Sequence, residues 1–82
     1  MFILKNAGIE CAARGLKQGK IAFRSILDFK KKNVYLYMDS FGIIVENESS
    51  NFQYRFTQED VFATDWIVAD KELINNKEKL DE

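Results

Sequence analysis

"FTQEDVFATDW", residues 56–66, decides how the chain is put together. Thr57, Gln58, Glu59 and Asp60 match a capping box. The threonine accepts from a first-turn N–H, and the acidic residue three positions on reaches back to the cap. The acidic side chains also stand where the helix dipole is positive. Val61, Phe62 and Ala63 continue a short helix. "DWIVA" then alternates as a strand, with Trp66 and Val68 on one face and Asp65 and Ile67 on the other. The stretch therefore predicts a helix packed tightly before a strand that carries the only tryptophan.

Working outward, "FQYRF" at 52–56 alternates aromatic and polar residues and predicts a strand. "VYLYMDSFGIIVE" at 34–46 predicts a hairpin. Val34, Leu36 and Met38 alternate with Tyr35 and Tyr37, Asp39, Ser40 and Gly42 supply the turn, and Ile43 to Val45 return. "DFKKKN" at 28–33 predicts a polar connection. "KIAFRSIL" at 20–27 predicts a short strand, with Ile21 and Phe23 on one face and Ala22 and Arg24 on the other. In "GIECAARGLKQGK", Ile9, Ala12, Ala13 and Leu16 share one helical face. A helix over 7–18 follows, with Asn6 as its cap and Gly19 in the left-handed position past its end. The tail "DKELINNKEKLDE" predicts a weak helix or a frayed end. The expected architecture is α+β: a small antiparallel sheet with an N-terminal helix and a short second helix. Residues 1–69 form the single domain and 70–82 the tail.

Composition sets the function classes. The 82 residues are 46% apolar and 30% charged, a globular balance. A net charge of −1 and a pI near 5.5 argue against a polymer nucleic-acid partner. There is no histidine, and Cys11 is the one cysteine. No intrachain disulfide forms, zinc is not expected, and the commonest general base is missing. A hydrolase without histidine or a metal cluster is not expected, and neither a cofactor nor a metal is expected. "MFILK" is too short for a signal sequence, and no apolar run approaches the ~20 residues of a membrane-spanning helix. No membrane partner is expected, and the expected location is the cytoplasm. Core of this size is modest, so a homo-oligomer is a natural way to bury more apolar surface.

Several residues carry two readings each. The carboxylates Asp28, Asp39, Glu46, Glu48, Glu59, Asp60 and Asp65 read as solvated or capping groups before they read as an acid–base pair. Lys30, Lys31 and Lys32 read as a solvated loop or as a phosphate clamp. Arg24 next to Ser25 is a strand-end arginine, or a planar fork for phosphate with a serine hydrogen bond beside it. Trp66 is core, or it forms one wall of a ligand site with Tyr54, Phe56 and Phe62 near the helix start at Thr57. Aromatic faces stack on nucleobases, and helix starts offer N–H groups to anions.

Two segments together resemble a known family. "GIECAARGLKQGKIAFRS" is similar to the pattern F-x-E-A-L-x-x-L-K-x-G-K-x-V-A-R-x-G-W, through Leu16, Lys17, Gly19, Lys20 and Arg24. "YRFTQEDVFATDW" is similar to W-x-x-S-Q-x-D-L-L-A-x-D-W, through Thr57, Gln58, Asp60, Ala63, Asp65 and Trp66. The family is that of the small phage proteins typified by the Thoeris anti-defence sponges, formerly a domain of unknown function. The match covers roughly residues 9–68.

The resemblance implies a phage anti-defence sponge, a compact α+β homo-oligomer (dimer or tetramer) that holds a nucleotide immune signal between subunits without cleaving it. The implied ligands are glycocyclic ADP-ribose and the cyclic oligonucleotides of CBASS. Leu27 stands where the family has a tryptophan that helps form the pocket, and Ile26 replaces the preceding glycine. That change favours a cyclic dinucleotide as the ligand. Trp66, Tyr54 and Leu27 are then expected to stack or form apolar walls. Arg24 and Ser25 are expected to serve phosphate, and Thr57, Gln58 and Asp65 base or ribose edges. The rival expectation is a phage inhibitor that contacts a host enzyme directly through Tyr35, Tyr37 and the acidic tail.

Overall fold

The computed structural model describes residues 1–49 and 51–81, with the Ser49 side chain left aside. Five strands form one antiparallel sheet: β1 (Ile3–Ala7), β2 (Ile21–Phe23), β3 (Leu36–Met38), β4 (Ile44–Glu46) and β5 (Trp66–Ala69). Their order across the sheet is β1-β5-β2-β3-β4. The helices are α1 (Ile9–Lys17), α2 (Ile26–Lys32) and α3 (Gln58–Phe62). The fold is α+β, as the sequence predicts, but the sheet begins one strand earlier. β1 pairs with β5 through Ile3–Ala69, Leu4–Val68 and Ala7–Trp66, with an irregularity between Leu4 and Ala7. Asn6 lies in that irregularity at φ 56° rather than capping α1.

Alternation along the strands divides the core in two. Ala7, Ala22, Leu36, Trp66 and Val68 meet Ala12 and Leu16 of α1 on one face. Ile21, Phe23, Ile67 and Ala69 meet Phe29 of α2, Leu73 and Leu80 on the other. β5 is buried along its whole length because both faces are covered.

α1 ends as its sequence demands. Gly19 takes φ 85°, and the N–H groups of Gln18, Gly19 and Lys20 close onto carbonyls of the last turn. Its start is Gly8, which offers no side-chain cap. The buried stripe is Ala12, Gly15 and Leu16, while Ala13 is exposed. Gly15 explains the rotation, because its missing side chain lets β5 come close. A Cβ there would stand 2.2 Å from Val68 Cγ1. Gly15→Ala should therefore lower stability by about 1–3 kcal/mol, the usual range for overpacking. A urea titration with an unchanged midpoint would refute this.

Three local expectations are corrected. The predicted strand over 20–27 stops at Phe23, and "ILDFKKK" is helix α2 rather than a polar loop. Ser25 caps it by accepting from the Asp28 N–H at 3.1 Å, and Asn33 closes it in the left-handed region at φ 59°. The predicted strand 52–56 is reduced to a single bridge, Val45 to Gln53. The backbone turns there to carry Tyr54 and Phe56 onto the first core face. The tail packs as two 3-10 helices, Lys71–Asn75 and Lys77–Asp81, that bury Leu73 and Leu80. Lys5 Nζ donates to the Leu80 carbonyl at 2.7 Å and Lys30 pairs with Asp81, which holds that end down. Among the described residues no helix is long and apolar enough to cross a membrane.

Candidate functional site

The sequence places Arg24 just past β2 and the capping box 33–36 positions later, and the fold brings them together. Arg24 Nε donates to Asp65 Oδ1 at 2.8 Å, and Nη1 donates to Asp60 Oδ1 at 3.1 Å. Asp60 is the centre of the cluster. Its Oδ2 accepts from the Tyr54 hydroxyl at 2.7 Å and from the Thr57 N–H at 3.0 Å. Its own N–H donates to Thr57 Oγ1 at 3.1 Å, which completes the predicted capping box. Its carbonyl accepts from the Trp66 indole N–H at 2.9 Å. Only 5% of Asp60 is exposed. Among the described residues no buried side-chain nitrogen or oxygen lacks a partner.

The electrostatics follow from this geometry. Burial pushes the Asp60 carboxyl up, but the hydrogen bonds from Thr57, Tyr54 and Arg24 outweigh it and hold the group below the ordinary carboxylate range. The hydrogen bond from Arg24 likewise holds Asp65 down. Both carboxylates, Asp65 first, raise Arg24 further above its already high value. Burial and then the bond to Asp60 push the Tyr54 phenol up to about 12.

Beside the cluster, between the end of β2, the starts of α2 and β3, and β4, lies an open cleft of about 190 Å³. Arg24, Ser25, Asp28, Glu46, Tyr54 and Asp60 supply its polar lining, and Ala22, Leu36 and Trp66 lie under it. Glu46 faces it because Leu36 is its partner across the β3–β4 ladder, and Leu36 belongs to the first core face.

The expected site residues thus fall into three groups. Arg24, Ser25, Tyr54 and Trp66 line the cleft, although Trp66 is only 1% exposed and also sits in the core. Its ring packs on Phe56 at 6.0 Å, and Phe56 packs edge-on against Tyr54 at 5.2 Å. Thr57 and Asp65 touch the cleft only through Asp60 and Arg24. Gln58 and Leu27 are exposed and are not among the lining residues, with Leu27 60% exposed on α2. Sequence reasoning read Asp60 as a helix cap and a motif match, and Glu46 and Asp28 as solvated or capping carboxylates, and placed none of the three in the binding site. For Asp60 the signal was present, since its spacing from Tyr54 and Thr57 is local. Nothing in the sequence points to Glu46 or Asp28, which arrive from separate elements.

Chemically, the cleft offers an aromatic ring held by its hydroxyl bond, donors from Arg24 and Ser25, and acceptors from Asp28 and Glu46. Among the described residues no group of three or more His, Cys, Asp or Glu side chains is placed to hold a metal ion. No protein-family model, curated protein or solved structure matches the chain.

Proposed function

We propose that the chain is a non-catalytic binding protein of an infected cell's cytoplasm, a phage anti-defence sponge that sequesters a cyclic nucleotide immune signal. One observation carries the reading. The two sequence segments that resemble the sponge family meet at one place, where Arg24 joins Asp60 and Asp65 beside Tyr54 and Trp66. The cleft there has an aromatic wall and polar groups of both kinds, the lining a nucleoside needs.

The cleft is smaller than the ~300–1,000 Å³ usual for a whole ligand. The rest of the signal lies against a second copy of the chain in this proposal. The exposed Phe41 (86%), Phe62 (75%) and Phe52 (74%), with Leu27, supply apolar surface for a dimer or tetramer. Those same phenylalanines favour the rival reading, an inhibitor docking on a host enzyme. Tyr35 and Tyr37 serve that rival poorly, since both are half-buried against the second core face.

Thermal melting against glycocyclic ADP-ribose, cyclic dinucleotides and cyclic trinucleotides tests the proposal. A ligand at a hundredfold excess over Kd adds about 2.7 kcal/mol to the folded state. In a domain this small that raises Tm by roughly ten degrees or more. A folded, nucleotide-free sample that shifts with none of them would refute the sponge and leave the inhibitor.

A further inference from the structure

We propose that the cleft takes the Watson–Crick edge of a guanine base, and that the phosphates of the cyclic dinucleotide stay outside it. The inference rests on the sponge reading and names which part of the signal the cleft selects.

Size comes first. About 190 Å³ admits one planar ring system and excludes a dinucleotide ring. Charge comes second. Arg24 looks like the phosphate anchor from sequence, yet two carboxylates already hold it, at 2.8 and 3.1 Å. Asp28 and Glu46 line the same cleft with no ion pair or side-chain hydrogen bond among the described residues. The lining therefore carries surplus negative charge. It repels phosphate and attracts N–H donors.

Hydrogen-bond complementarity comes third. Guanine presents a carbonyl beside two adjacent N–H donors, and a carboxylate accepts two such donors side by side. Glu46 or Asp28 meets that pair. The carbonyl is left for the Ser25 hydroxyl hydrogen, or for an Arg24 N–H that neither aspartate engages. Adenine instead turns a ring-nitrogen lone pair toward the carboxylate, where like charges face each other. The Tyr54 ring supplies the stacking surface, and its hydroxyl bond to Asp60 fixes its orientation in advance.

Calorimetric titration of the purified protein with cyclic di-GMP and cyclic di-AMP reads the difference, with Glu46→Gln and Asp28→Asn as variants. Each variant is checked for an unchanged melting temperature. A bidentate base contact corresponds to roughly 5–150-fold discrimination. Cyclic di-GMP should bind tighter by at least about fivefold. At least one carboxamide variant should erase most of that preference. Equal affinity for the two probes, or a preference that survives both variants, overturns the inference and leaves the sponge standing. Binding of glycocyclic ADP-ribose alone does the same. If no cyclic nucleotide binds, both the inference and the sponge fall.

Discussion

Trp66→Ala is expected to lose about 3–5 kcal/mol of stability, the range for removing a buried tryptophan. For a chain of 82 residues the whole folding free energy is about 4–12 kcal/mol, so the variant should be largely unfolded or melt far lower. Two effects add. The indole is 1% exposed and packs on Phe56 and the α1 side of the sheet. Its N–H also donates to the Asp60 carbonyl within α3 at 2.9 Å. Trp66→Phe separates them, because it keeps most of the packing and loses the hydrogen bond, for about 1–3 kcal/mol. Chemical denaturation followed by far-UV circular dichroism measures both. A Trp66→Ala protein that melts like the parent and merely fails to bind ligand would contradict this. The indole would then belong to the ligand wall rather than to the core.

What the sequence disclosed follows from how local each signal is. The capping box at Thr57–Asp60 depends on four adjacent residues and was legible in full, as was the stop at Gly19. The alternation of Ile21, Ala22 and Phe23, and of Trp66, Ile67 and Val68, gave the correct faces. β1 was hidden because it is an edge strand that buries only Ala7 and is interrupted at Asn6. α2 was hidden because only Phe29 is buried, leaving no stripe to read. Its punctuation was nonetheless present, a serine cap three residues before Asp28 and an asparagine just past its end. The site divides in the same way. Arg24, Tyr54 and Trp66 stood out in the sequence by residue type, and the fold brings them to one cleft. The double carboxylate on Arg24 was not legible, because it depends on β2 lying beside β5.

Asp60→Ala should be the second most damaging substitution, at about 3 kcal/mol, and Asp65→Ala one of the mildest. Both aspartates bind the same guanidinium, so burial decides between them. Asp60 is 5% exposed, and its loss strands the Tyr54 hydroxyl, the Thr57 N–H and one Arg24 N–H together. The Asp65 side chain is 59% exposed, and water screens its bond, leaving under about 1 kcal/mol. The pH dependence carries the same signature. The Asp60 carboxyl is held below its unfolded value, so its contribution is complete above about pH 4 and fades as the pH falls through the folded value. Asp60→Asn should therefore be less stable at neutral pH and lose stability less steeply on acidification. Parallel acid titrations of the parent and Asp60→Asn would show it as two curves converging below pH ~4. Curves that stay parallel would mean that some other carboxylate governs acid unfolding. In that case Asp60 matters through the shape of its cap rather than through its charge.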